Sequence, residues 1–473
     1  MLDLIPLHLK IFRTVGDAAD AINQKAFVIG GYVRDYYLGR LDKNNVTDID
    51  FVTVGSGIRL AETVAKELDT TKVAVYKQFG TAQVRYKDID LEFVGARKES
   101  YRRNSRKPIV EDGTLKDDQM RRDLTINALS WSLNHDSFGV LHDPFGGIQD
   151  LKDRIIRTPI DPEQTFDDDP LRMMRAIRFA TQLHFTITDE TFDAIKKMAH
   201  RIEIISKERI IEELNKIVLS DKPSRGFTML LDSGLLNYFF PEMVKLLGVD
   251  EIDGHRHKDN FWHTLKVLDN VAEKSDNLWL RWAAILHDIA KPATRRFSKS
   301  SGWTFHGHDA LGAKWTPKIF RRLGLPLDDR MRYVRKLVRL HLRPIALVSE
   351  EVSDSAVRRL IYEAGDEIED LMLLCRADIT SKNEYKVKKF LNNFDKVEKK
   401  IAEVEKKDQI RNWKNPLRGD EIIKALDLKP GPIIGRVKED VKEAIMEGEI
   451  PNNHDAAYNY MMKNKDKYLN TRK

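Results

Sequence analysis

This sequence predicts an α+β protein: a small mixed, mostly antiparallel sheet domain at the front, followed by an elongated all-α remainder. Three observations carry that prediction. Before about residue 150, short β-prone runs alternate with helical ones. From about residue 160 onward, apolar residues recur at helical spacing almost without interruption. With 473 residues the chain also exceeds a single core, so it should divide into two to four domains. The divisions read as 1–150 for the sheet domain, 151–250 for a helical neck, 251–395 for a second helical domain and 396–473 for a helical tail.

The elements come in order. Phe27 to Ile29 is a buried-type strand, and Val73–Val75, Gln83–Tyr86 and Asp88–Val94 alternate as strands do. Residues 58–68 read as a helix. Arg97 to Met120 is polar and charged, and reads as one long flexible loop. Pro170 sits where a helix begins, ahead of LRMMRAIRFATQL. Further helices are expected over 189–199, 206–219, 223–232 and 236–245. The polar stretch from Gly248 to Asp259 precedes another helical region that starts at Phe261. A Lys- and Glu-rich helix spans about 384–409, and Asn415-Pro416 and Gly419 then punctuate two or three last helices.

Composition narrows the class. Hydrophobic residues make up 41% and charged residues 33%, as in soluble globular chains. No run of about eighteen apolar residues exists, so no membrane association is expected. The start, MLDLIPLHLKIF, lacks a basic segment followed by an apolar one, so no secretory signal is expected. The single cysteine, Cys375, excludes an internal disulfide and fits a cytoplasmic setting. Formal net charge is +6, with local basic pairs such as Arg102-Arg103, Arg121-Arg122 and Arg295-Arg296. Any one pair reads as solubilising surface. Several on a near-balanced chain suit a polyanionic partner.

The densest chemistry lies in FVIGGYVRDYYLGRLDKNNVTDIDFV, residues 27–52. Glycines let a backbone approach phosphate oxygens closely, and Arg34 brings a charge that matches them. Asp48 and Asp50 are two apart on a strand, so they share a face and can hold one divalent ion. Hard carboxylate oxygens suit Mg2+, which arrives with a nucleotide's phosphates. A lone Gly-Gly is usually a turn and a lone Asp-x-Asp a solvated strand end. It is their order and spacing that points to nucleotidyl transfer.

Downstream stand Arg121-Arg122-Asp123-Leu124-Thr125-Ile126-Asn127-Ala128, then Asp143-Pro144-Phe145-Gly146-Gly147 with Asp150-Leu151, then Asp168-Asp169-Pro170-Leu171-Arg172. In this order the motifs resemble those of the nucleotidyltransferase class that contains bacterial CCA-adding enzymes and poly(A) polymerases. The resemblance covers about residues 20–245 and, more weakly, the rest. It implies that Asp48 and Asp50 are the catalytic metal-binding pair, with Glu92 of DIDLEFV as the third carboxylate. It implies a triphosphate cradle of Gly30, Gly31 and Arg34, and a sugar and phosphate contact from Arg122, Asp123 and Asn127. Arg121 reads as a partner for nearby Asp residues.

Asp169 and Arg172, three apart and so on one helix face, are implied to select the base, and Arg175 is counted among the nucleotide-binding residues. A carboxylate accepts from an exocyclic amine and a guanidinium donates to a ring acceptor. Cytosine and adenine offer that pattern, while guanine and uracil reverse it. Asp168 replaces the Glu often found in the family and is not read as a base contact. Glu208 and Arg209, in SKERI with Glu213, resemble a neck-helix motif that braces the selecting segment.

A second constellation lies in the helical half: His263, the adjacent pair His287-Asp288, and Asp378, with His308 and His341 between them. This order resembles the HD phosphohydrolase superfamily and implies a divalent transition metal that activates water against a phosphoester. His306 is the weaker candidate of the intervening histidines. An unpaired Asp288 inside the apolar run WAAILHDIA would be costly, and a metal explains it.

Taken together, the reading is a cytoplasmic enzyme that adds C and A from CTP and ATP to tRNA 3′ ends, with no DNA partner expected, fused to an HD-type metal domain. The tail is implied to grip tRNA through Lys and Arg contacts to phosphate. A poly(A) polymerase, an enzyme adding only CC or only A, and an HD phosphohydrolase carrying an RNA-binding front module are the alternatives that the same residues leave open.

Overall fold

The apolar run KAFVI makes an interior strand of the front half's sheet, with four of its five residues buried. In the computed structural model, residues 4–469 are described except positions 43–45, 78–79, 103–104, 250, 253–254, 257–258, 301, 350–352, 381–382, 409 and 412. Two compact units result, Met1–Pro241 and Glu242–Lys473.

In the first unit, helix α1 (Pro6–Ala21) buries Ile11, Phe12, Val15, Ala18 and Ala19 on one stripe. Strand β1 (Lys25–Ile29) leads into α2 (Gly31–Tyr37), then β2 (Asp48–Val54), α3 (Gly57–Glu67), β3 (Val73–Tyr76), β4 (Thr81–Tyr86) and β5 (Ile89–Gly95). The expected strands and the 58–68 helix are present within a residue or two. A ribbon of β6 (Arg97–Arg102) and β7 (Ser105–Asp112) comes next, then α4 (Leu115–Met120), β8 (Ser130–Ser132) and β9 (Leu141–His142). The main sheet runs β3-β4-β5-β2-β1-β8-β9. β2 is antiparallel to β1 and parallel to β5, so the sheet is mixed.

Alternation divides β2 between two faces. Phe51 packs toward α1, its ring 6.0 Å from Phe12, and stacks on Phe93 at 5.0 Å. The opposite face carries a smaller core of Ile29, Val52 and Ala96, with Val54 and Leu115 against it. Asp48 and Asp50 lie on this second face by the same alternation.

The reading of Arg97–Met120 as a loop is corrected: the segment is an antiparallel hairpin followed by a helix. A two-stranded ribbon satisfies its backbone hydrogen bonds without the apolar alternation by which strands are recognised. Helix α4 is announced by a capping box, Thr114 with Asp117.

The neck comprises α5 (Gly147–Asp153), α6 (Pro162–Asp168), α7 (Leu171–Leu183), α8 (Asp189–Met198), α9 (Lys207–Val218) and α10 (Pro223–Asp232). Helix α7 is buried along most of its length and packs on α9 and α10. The single helix expected over 236–245 is two short ones, α11 (Leu236–Phe239) and α12 (Pro241–Val244). Pro241 has no amide hydrogen to continue the first.

The second unit is helical, with α13 (Asn260–Ala272), α14 (Leu278–Leu286), α15 (Lys291–Thr294), α16 (His308–Leu323), α17 (Asp329–Leu340), α18 (Leu342–Ser349), α19 (Asp354–Ala364) and α20 (Ile368–Ala377). Short ladders interrupt it at Glu251–Ile252 with His255–Arg256 and at Arg296–Ser298 with Gly302–Thr304. The charged helix α21 spans Glu384–Asp408. The final segment holds α22 (Gly419–Ala425), α23 (Pro432–Glu447), α24 (His454–Lys463) and α25 (Lys465–Leu469), more than the two or three expected. Gly448 in the left-handed region ends α23, Asn453 caps α24, and Asn464 separates the last two.

Candidate active site and metal centre

Parallel register brings the head carboxylates together. Asp50 of β2 lies opposite Glu92 of β5, and Asp48 opposite Asp90. Burial comes first, then Asp50, Glu92 and Asp90, in pushing the Asp48 carboxyl up to about 6. Burial also raises Asp50 against the pull of Arg122 and Arg175, and raises Glu92 with help from Asp50 and Asp90. Crowded carboxylates on one face with raised proton affinity fit a cation-binding site. They are not drawn tight: among the described residues, the sets of three donor atoms lying within 4.8 Å of one another are both in the second unit.

Gly30 sits over this face with φ +83°, a conformation that suits glycine. A Cβ there would lie 3.1 Å from Arg122 Nη1 and 3.5 Å from Asp50 Oδ2. The glycine therefore makes room where Asp50 and Arg122 converge. Gly31 starts α2, and a Cβ on it would stand 3.8 Å from Arg34 Nη2.

Asp123 is the hub of the next layer. Its Oδ1 accepts from the Leu124 amide and from Asn127 Nδ2, and its Oδ2 from Arg175 Nε at 2.6 Å. Burial alone would raise its carboxyl, but the Arg175 guanidinium and the Asn127 amide outweigh that and hold it at about 2. Arg34 donates through Nη1 to Asn127 Oδ1 at 2.7 Å and through Nε and Nη2 to Asp35. Arg34, Arg175 and Arg178 all lie near the Phe179 ring, at 4.8, 5.6 and 4.0 Å from its centroid. Arg121 pairs with Asp118 at 2.6 Å, the partnership expected of it.

The remaining motif positions are scaffolding. Asp143 accepts from the amides of Gly147 and Ile148 at the start of α5. Asp150, fully buried, accepts from Thr125 Oγ1 and pairs with Arg157. A Cβ on Gly147 would strike Thr125 O at 2.5 Å, so α5 can approach this segment only through glycine.

Asp169 and Arg172 do not share a helix face as expected. Asp169 is extended (φ −143°, ψ 101°) and stands before α7, because a residue preceding proline is pushed out of the helical region. Its Oδ1 accepts from the Leu171 amide at 3.1 Å, and its Oδ2 from Arg209 Nη2 at 2.9 Å. Arg172 is buried and donates to Thr165 O. The Arg209 contact, bridging forty residues, is the brace that the neck-helix resemblance implies.

The histidines of the second unit converge as predicted. His263, His287 and Asp378 form one donor set, and Asp288, His308 and His341 another. His306 is exposed and belongs to neither. Asp288 faces both: its Oδ2 lies 3.4 Å from His263 Nε2 and 3.2 Å from His287 Nε2, its Oδ1 3.3 Å from His308 Nε2 and 4.0 Å from His341 Nε2.

Three of the rings are fixed from behind. Nδ1 of His287, His308 and His341 each donates to a backbone carbonyl at 2.7 Å, of Ala284, Phe305 and Val338. A carbonyl only accepts, so the proton sits on Nδ1 and the Nε2 lone pair points inward. His308 and His341 Nε2 lie 3.2 Å apart, and His287 Nε2 is buried without a hydrogen-bond partner among the described residues. Opposed lone pairs and an orphaned ring nitrogen fit a transition-metal centre. Burial pushes His341 down to about 4, which favours the neutral ligand form. Burial would lower His263 as well, but Asp288 and Asp378 raise it to about 9. Lys291, one helical turn past Asp288 and 2.5 Å from its Oδ2, is a neighbour that sequence reasoning does not single out; its i, i+3 spacing was the available signal.

A carboxylate face beside a glycine turn, followed by a helical neck and a His/Asp cage, defines a nucleotidyltransferase joined to an HD domain. Known proteins agree with it. The family described as Poly A polymerase head domain matches residues 26–157, the probable RNA and SrmB-binding site of polymerase A matches 184–247, and the HD domain matches 260–383. An A-adding tRNA nucleotidyltransferase of Deinococcus radiodurans is 33% identical over 347 residues, 71% of this chain and 76% of that protein. A CC-adding tRNA nucleotidyltransferase of Thermus thermophilus is 29% identical, over 91% of this chain and 92% of its own. The structure of a Bacillus stearothermophilus CCA-adding enzyme in complex with CTP superposes with TM-score 0.67 at 22% identity, covering 98% and 99% of the two chains. This chain belongs to the tRNA nucleotidyltransferase family and is an enzyme of that type. The family implies dependence on a divalent metal. No helix among the described residues is long and apolar enough to cross a membrane.

Proposed function

We propose that this enzyme completes tRNA 3′ ends in the cytoplasm by adding C and A from CTP and ATP without a nucleic-acid template. The observation that supports it most is the register that sets Glu92 beside Asp50, on the face that Asp48 shares, under Gly30. Asp48, Asp50 and Glu92 would hold Mg2+, which polarises the attacking 3′-hydroxyl and stabilises the departing pyrophosphate. Gly30 and Gly31 admit the triphosphate. Arg122 contacts the phosphates. Asp123 and Asn127, with Arg34 and Arg175 behind them, form a rigid wall for the sugar. Asp169 accepts from the exocyclic amine of cytosine or adenine, and Arg172 donates to the neighbouring ring acceptor. The four-part division at 150, 250 and 395 remains our reading of the domain organisation.

The test is incorporation of labelled CTP and ATP into tRNA lacking its 3′ end. The native enzyme extends the tRNA by C and A only; long tails from ATP alone would instead mark a poly(A) polymerase. Asp50→Asn abolishes incorporation. If that variant retains incorporation, the carboxylate face is not the site.

A second activity has its own observation, the three inward-aimed Nε2 lone pairs around Asp288. We infer a transition-metal phosphohydrolase centre held by His263, His287, Asp288, His308, His341 and Asp378. Asp288→Ala removes bound metal and phosphatase activity and leaves nucleotide addition intact.

A further inference from the structure

We propose that the second unit carries an RNA-docking groove between α16 and α17, on the side of the HD fold that faces away from its metal ligands. The groove, about 780 Å³, is edged by six cations: Lys314 of α16, Arg332, Arg335, Lys336 and Arg339 of α17, and Arg343 of α18. Glu363 is the one acid among its described lining residues, and Ala313 and Leu340 form a buried floor. The groove lies outside residues 184–247, the segment matched as an RNA-binding site, and outside the tail. The inference rests on the reading of tRNA as the substrate.

The helical wheel separates this groove from the HD centre. Helix α16 starts at His308 and α17 runs up to His341, and the two rings meet at 3.2 Å. With 3.6 residues to a turn, Ala310, Ala313, Lys314 and Pro317 cluster about half a turn around α16 from His308. Arg332, Arg335, Lys336 and Arg339 cluster likewise opposite His341 on α17. These cations therefore do not serve the metal cage. Like charges three and four apart weaken a helix, and this stripe stacks four of them over about two turns. Carboxylates offset part of it: Asp329 pairs with Arg332, Glu367 with Lys336 at 2.6 Å, Asp309 with Arg339, and Glu363 with Arg343 at 3.7 Å. Lys314 and Arg335 are exposed and have no carboxylate partner among the described residues. Lys314 is six residues past His308 and Arg335 six before His341, so they stand level across the groove, about 9 Å from the ligand end. Uncompensated charge on both walls matches a phosphodiester backbone. No lining residue is aromatic, so the hold is on phosphate, without regard to base. Of the polyanions that suit such a groove, tRNA is the one that the enzyme's own reaction brings to it.

The experiment measures tRNA binding by fluorescence anisotropy across a salt series, and steady-state addition of CTP and ATP. The full chain is used as wild type, as Lys314→Glu with Arg335→Glu, and as Lys314→Arg with Arg335→Lys. The glutamate pair should weaken tRNA binding and raise KM for tRNA about tenfold. Its kcat, KM for CTP, melting temperature, metal content and hydrolysis of p-nitrophenyl phosphate should stay as in wild type. The fall of log affinity with log salt should become shallower by about 1.5, from two lost phosphate contacts. The charge-keeping pair should bind like wild type. Unchanged tRNA binding by the glutamate pair would overturn the groove and leave it to an acidic protein segment. A loss that extends to metal content or to p-nitrophenyl phosphate would overturn it too, by assigning the cations to the HD centre. So would a charge-keeping pair as weak as the glutamate pair. The binding arm needs no catalysis: a wild type that binds tRNA through these cations without extending it sinks the addition reading and leaves the groove standing. Should the glutamate pair not fold, Lys314→Gln with Arg335→Gln makes the same comparison.

Discussion

Asp48 and Asp123 illustrate opposite uses of a carboxylate. Asp48 is raised to about 6 by burial and its acidic neighbours, so it binds a proton in the range where an ordinary aspartate is charged. A cation must displace that proton. Mg2+ affinity should therefore fall as pH drops through about 6, and calorimetric titration at pH 5.5 and 7.5 should show weaker binding at the lower value; equal affinities would contradict the crowding. Asp123 is depressed to about 2, so its contribution is present above the unfolded value near 4 and is lost as pH falls toward 2. Asp123→Asn breaks its ion pair with Arg175 and should cost about 2–3 kcal/mol in denaturant unfolding. Asp48, Asp50 and the HD ligands are legible in the sequence because strand alternation and motif order are local properties. The Asp169 partnership with Arg209 is legible only through the resemblance of SKERI to a neck-helix motif, and the contact of Arg34 with the Phe179 ring is not legible at all, since it pairs residues far apart in the chain.

At the scale of elements, the departures from expectation have separate causes. Arg97–Met120 reads as a loop because its hairpin stabilises itself by backbone pairing, and the sequence offers no apolar face to recognise. Spacing alone puts Asp169 and Arg172 on one helix face, whereas Pro170 starts a new helix between them. The Asp143 motif carries the resemblance without an implied role, and its carboxylate is occupied in capping α5. Asp143→Ala should lower stability by about 1–2 kcal/mol through loss of that cap. Its kcat with bound nucleotide should change far less than that of Asp50→Asn, as thermal melts and turnover rates measured side by side will show.

Across the whole molecule, the crowded carboxylates lie in the first compact unit and both close His/Asp donor sets in the second. Calorimetric scans should therefore separate the two chemistries. Mg2+ with CTP should raise the transition of the first unit, and a transition metal that of the second. Chelation should reverse only the latter when Mg2+ is resupplied. A single transition responding equally to both ligands would show that the units unfold as one. The α+β class and the order of a sheet domain before helices are readable from hydrophobic period alone. The number of terminal helices is not, because the break between α24 and α25 is the single residue Asn464 within a charged segment.

The pairing of β2 with β5 also determines where the gene can change length. Residues added at the Lys87–Asp88 turn leave both ladders in step. One residue added between Ile89 and Glu92 reverses the parity of every later position in the strand, turning Glu92 inward and presenting an apolar side chain in its place. An insertion scan along this stretch should thus alternate, with two-residue insertions tolerated better than single ones.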